Sequence, residues 1–109
     1  MIPNHMRFIE AIHEKKKVSV RFYSQADSGV LHRVCAPMDY GPEGEDKDGL
    51  NHYWLWDYAN NTGFHLLSLV PRQIVDLQVL GEEFDPAHLD VRPPQWSILR
   101  DWGSQSQST

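Results

Sequence analysis

The chain has 109 residues, of which 40% are apolar and 23% charged, with a formal net charge of −5; this is enough for one soluble globular domain with a modest core and too little for two. No apolar run approaches the roughly 20 residues of a membrane helix, and the opening MIPNHMRF lacks the apolar centre of a signal peptide, so the chain reads as cytoplasmic with no membrane partner. The single cysteine, Cys35, excludes an internal disulfide, and the negative balance opposes non-specific duplex binding unless a local basic patch overcomes it.

Residues 3–16 predict a helix. Pro3 suits a helix start, Asn4 can cap, and Phe8, Ile9 and Ile12 fall on one apolar stripe. Lys15, Lys16 and Lys17 close it, where cations complement the C-terminal dipole better than they argue for a nucleic-acid contact. From residue 17 the period becomes two. VSVRFY places Val18, Val20 and Phe22 on a core side, against Ser19, Arg21 and Tyr23. After the turn QADSG, the run VLHRVCAPMDY predicts a second strand with Val30, Val34, Ala36 and Met38 on its core side, opposite Arg33 and Cys35. Pro37 donates no ladder hydrogen bond, so this strand should be an edge or bend there.

GPEGEDKDG is an acidic, glycine-rich loop without the spacing of a calcium site. HYWLWDY then forms the third strand. Leu55 is its one aliphatic member, which assigns Tyr53 and Leu55 to the core and leaves Trp54, Trp56 and Tyr58 in a row on the other face. NNTG is a turn, FHLLSL a fourth strand and VPRQ a helical turn opened by Pro71. IVDLQVL is the fifth strand, with Val75, Leu77 and Val79 inward. PPQWSILRDW predicts a short C-terminal helix with Trp96, Leu99 and Trp102 on one face, and GSQSQST a disordered end. One helix and five short strands joined by hairpin-type connections imply a small, strongly bent sheet or barrel.

If the first two strands neighbour the third, Arg21, Tyr23 and Arg33 share the face of Trp54 and Trp56. Rings beside guanidinium groups suit a base or a phosphate, because stacking contributes roughly 1–3 kcal/mol per base and arginine pairs bidentately with phosphate. The other reading packs the same rings under the first helix or the C-terminal segment.

The order of these pieces resembles the WYL domain of bacterial regulators. VSVRFY is similar to that family's first strand, RVCAP to its arginine and proline on the second, YWLWDY to its Trp-Tyr-Leu strand, and PRQIVDLQVLGEEFDP to its closing turn, strand and Phe-Asp-Pro. The resemblance implies a mainly β (α+β) fold, in which an N-terminal helix precedes a five-stranded Sm-like or SH3-like small barrel. Residues 1–86 would be the WYL-like domain and residues 87–109 a C-terminal extension. It also implies a non-enzymatic regulatory role with a nucleotide or single-stranded nucleic-acid ligand, and carries over Tyr23, Arg33, Trp54 and Arg72. Three departures stand out: Trp54 lacks a tyrosine's hydroxyl, His65 replaces an arginine common on the fourth strand, and no helix-turn-helix is present.

The candidate ligand-binding set is therefore Arg21, Tyr23, Arg33, Trp54, Trp56, His65 and Arg72, with no cofactor and no metal. The alternative function is a protein-interaction or oligomerisation module, using the same aromatic face and the C-terminal segment to meet another copy or an effector protein. An enzyme is the least supported reading. His5, His13, His32, His52, His65 and His88 show no ligand spacing, and Cys35 has no base near it in sequence, so no catalytic residue is assigned.

Overall fold

In a computed structural model, which describes residues 1–42, 49–59, 66–89, 97, 98 and 102, one helix precedes a five-stranded antiparallel sheet. The elements are α1 (His5–Glu14), β1 (Lys16–Ser24), β2 (Gly29–Pro42), β3 (Asn51–Asp57), β4 (Leu66–Leu69) and β5 (Ile74–Glu83), in the sheet order β4-β3-β2-β1-β5. A 3-10 turn at Pro71–Gln73 joins β4 to β5, where VPRQ predicts it, and a second lies at Pro86–His88. This is the mainly β, small-barrel architecture expected from the sequence.

α1 buries Phe8, Ala11 and Ile12, the one-turn spacing that makes a single apolar face. It ends at Lys15, whose left-handed backbone (φ 59°) turns its N–H back onto the carbonyls of Ala11 and Ile12. Two details differ from expectation. Asn4 stands at the N-cap but makes no capping bond, since its side-chain amide donates to the Leu77 carbonyl of β5. Lys16 and Lys17 belong to β1, where they pair with Glu83 and Glu82.

β1 buries Val18, Val20 and Phe22 as its alternation predicts. Ala36 and Met38 are buried as expected, but the first half of β2 faces the other way. The hairpin sets Ser24 against Gly29, so Leu31 stands opposite Phe22, Arg33 opposite Val20 and Cys35 opposite Val18. Directly paired residues share a face, which sends Val30 and Val34 outward, 55% and 38% exposed. Both alternations along this run are apolar enough to be the core, and the turn decided between them.

A bulge at Met38 then adds one residue between Pro37, paired with Leu55, and Asp39, paired with Trp54. Pro37 thus marks a bend in an interior strand and no edge. A similar irregularity at the start of β5 puts Val75 outside, 54% exposed, while Ile74 pairs with Phe22, and Leu77 and Val79 stay inward.

Tyr53 and Leu55 are fully buried, as the third strand predicts, but Trp56 on the opposite side is buried too. The expected turn NNTG, the start of FHLLSL, most of the acidic loop, and all but three residues of PPQWSILRDW lie outside the described residues, as does the tail GSQSQST.

The N-terminal segment bridges strands that the sheet order holds apart. Asn4 bonds β5, while the Ile2 N–H donates to the Tyr53 hydroxyl of β3 at 3.2 Å and His5 Nδ1 lies 2.9 Å from that same hydroxyl. Phe8 meets the Tyr53 ring edge-on, with centroids 5.0 Å apart, which seats α1 over the core.

Candidate ligand-binding site at the barrel mouth

Where β1 ends, β2 begins and β3 ends, the sheet encloses an open cavity of about 330 Å³. Phe22, Leu31 and Leu67 give it an apolar wall, Arg33 and Asp57 a charged one, and Ser24 and Asp27 line it too. Phe22 and Leu31 face it because they are partners in the β1–β2 ladder.

Arg33 is the cation of this mouth. Its Nε lies 3.4 Å from Asp57 Oδ2, and its Nη1 donates to the His32 carbonyl at 3.2 Å. Asp57 is itself held, since its Oδ1 accepts the Ala59 N–H at 2.9 Å, closing a turn directly after β3. The Asp57 side chain is 9% exposed and that of Arg33 33%, so a buried carboxylate fixes a half-buried guanidinium at the cavity wall. Fixing a long side chain beforehand removes part of the entropy cost of binding through it. Asp27 accepts a 2.8 Å hydrogen bond from Ser24 Oγ, so among the described residues the mouth carries two carboxylates for one guanidinium. Cys35, the direct ladder partner of Asp57, is an inert neighbour. Burial, then the Asp57 charge, push its thiol far above its ordinary value against the pull of Arg33, which keeps it un-ionised.

The remaining candidates are distributed around this mouth. Arg21 and Tyr23 are exposed on the outer face, Arg21 beside His32 and Asp76 and Tyr23 beside Val30. Arg72 is exposed on the 3-10 turn, whose Gln73 side chain donates to the Tyr23 carbonyl, so the turn docks at the same end of β1. Trp54 and Trp56 share the outer face with Arg21 and Tyr23, as expected, but lie over the far half of β2. There Trp54 is partly buried with its indole N–H on the Gly41 carbonyl, and Trp56 is packed edge-on against Tyr58 at 5.0 Å. Among the described candidates on the sheet, Arg33 alone points to the inner side. His65 lies outside the described residues.

Sequence reading missed Asp57, Phe22 and Leu31 as companions of Arg33. The signal for Asp57 was an acid closing a strand of rings; nothing local ties it to an arginine 24 positions earlier. Among the described residues no group of three or more His, Cys, Asp or Glu side chains is placed to hold a metal ion. Nor, among them, is any helix long and apolar enough to cross a membrane.

No family model matches the sequence, and no curated protein does. Among solved structures, the chain is similar to the proteasome accessory factor B/C (PafBC) of Arthrobacter aurescens, with a TM-score of 0.58 at 14% identity over 72% of this chain. The match spans 11% of that longer chain, and at this identity it shows the fold alone.

Proposed function

We propose that the chain is a non-enzymatic regulatory module of the WYL type, and that its barrel mouth senses a nucleotide or the end of a short single-stranded nucleic acid. The resemblance of VSVRFY, RVCAP, YWLWDY and PRQIVDLQVLGEEFDP to WYL domains, together with the likeness in fold to PafBC, supports the regulatory part. The observation that carries the ligand is Arg33, pinned by Asp57 at the wall of a cavity whose other side is Phe22, Leu31 and Leu67. A guanidinium forks onto a phosphate, and an apolar wall takes a planar ring. Asp27, Asp57 and the net charge of −5 oppose a long polyanion, so a ligand with few phosphates fits best. The exposed Arg21, Tyr23 and Arg72 extend the site outward for a longer strand. Trp54, Trp56 and His65 are secondary in this proposal.

Titration of the purified chain with nucleoside monophosphates and with labelled short single strands, at low and high salt, tests the reading. Saturable binding is expected, weakened by salt and reduced at least about tenfold in Arg33→Ala, the loss of one charge-assisted contact. Arg33→Lys is expected to recover little, since an ammonium cannot hold Asp57 and a phosphate in one plane. Binding that ignores both salt and Arg33→Ala, or none at millimolar ligand, would overturn it.

A second reading, a protein-contact module, has one specific observation behind it. Tyr23, Val30, Val34 and Val75 are all exposed on β1, β2 and β5, and Tyr23 and Val30 are direct ladder partners.

A further inference from the structure

Asp39 is a buried acid, 4% exposed, in the middle of β2. Its two carboxylate oxygens accept the consecutive main-chain N–H groups of Ser97 and Ile98, at 2.9 and 2.8 Å, across 58 and 59 positions of sequence. Two positions along, Gly41 makes room for this approach. A Cβ there would overlap the Ser97 side chain, while its carbonyl is already taken by Trp54. Gly41 carries no positive φ, so it is needed for space and not for backbone conformation. Ile98 packs against the core, and further on Trp102 is buried, its indole N–H on the Ile12 carbonyl at 2.8 Å and its ring edge-on to Phe84.

A carboxylate that receives two successive backbone N–H groups reads main chain, and a neighbouring glycine reads the size of one side chain. Together these are the elements of a peptide-binding site. We propose that Asp39 and Gly41 form a clasp on the outer side of β2 for a small residue followed by an aliphatic one, that the chain's own Ser97–Ile98 fills it as a detachable strap, and that a segment of the same chemistry can displace the strap. Displacement uncovers the Trp54 side of β3, since Trp54 is the direct ladder partner of Asp39. The clasp lies apart from the mouth at Arg33, and the proposal is independent of what binds there.

The strap competes with any outside segment at the high effective concentration of an intramolecular ligand, so the decisive experiment loosens it without touching the clasp. Ser97→Pro removes one of the two N–H donors from the strap and leaves Asp39 and Gly41 intact. A fluorescent peptide of residues 94–103, added to the full chain, is expected to bind Ser97→Pro at least about tenfold more tightly than the unaltered chain. In the Ser97→Pro background, Asp39→Ala is expected to weaken that binding at least about tenfold. Gly41→Ala is expected to weaken it as well by filling the gap, which keeps the test valid if Asp39→Ala fails to fold. Equal affinity of the peptide for the unaltered and Ser97→Pro chains would overturn the proposal, as would binding that survives Gly41→Ala.

Discussion

Two acids, Asp39 and Asp57, are buried in a small domain, and each is held by a contact distant in sequence. Burial of a charge is costly unless hydrogen bonds compensate it, so such residues mark places where the fold has arranged partners. His5, half-buried, is likewise held by a contact distant in sequence. The Tyr53 hydroxyl receives the Ile2 N–H and lies 2.9 Å from His5 Nδ1, where a neutral ring can accept the hydroxyl proton and a protonated ring would have to donate instead. Burial, and secondarily the positive α-amino group, lower the pKa of His5 below its ordinary 6.5. The linkage has a definite sign. Above that ordinary value the ring is neutral in both states and contributes no slope. Below it the unfolded chain takes up the proton first, so stability falls as pH drops toward the lowered folded value. Thermal melts at pH 7.5 and 5.5 should show a larger loss for the unaltered chain than for His5→Gln, and equal losses would remove this assignment.

At the scale of elements, β2 is the strand on which local pattern and tertiary register disagree. Its alternation points Val30 and Val34 inward, whereas the hairpin with β1 turns Leu31, Arg33 and Cys35 inward and the Met38 bulge shifts the phase beyond. The two arrangements predict opposite outcomes at one position. With Val34 outside, Val34→Lys is expected to change stability by no more than about 0.5 kcal/mol, while Leu55→Ala, which empties a fully buried site, costs about 2–5 kcal/mol. Urea unfolding of the two variants measures both. A collapse of Val34→Lys would restore the alternation-based facing.

For the molecule as a whole, the sign of a salt effect separates the two functional readings. Two chains of charge −5 repel, so an apolar contact between copies through Tyr23, Val30, Val34 and Val75 strengthens as salt screens that repulsion. Phosphate capture at Arg33 weakens under the same change. If the outer face is a self-contact, sedimentation velocity at about 50 and 500 mM salt is expected to show more association at the higher value, reversed by Val30→Asp. Association that falls with salt, or that persists in Val30→Asp, would exclude this face.

The amino-acid sequence by itself determined the helix with Phe8 and Ile12 on its buried side, the five strands, the core face of β1, the burial of Tyr53 and Leu55, and the turn at Pro71. Each rests on periodicity or on a residue's own backbone preference, which neighbours a few positions away express in full. Only the tertiary structure decided that Arg33 faces inward to Asp57, that Trp56 is buried, and that Asp39 holds Ser97 and Ile98. Those facts depend on a hairpin register, a bulge and contacts up to 59 positions apart, and a register slip of one residue reverses every side chain without changing the local pattern that sequence reading uses.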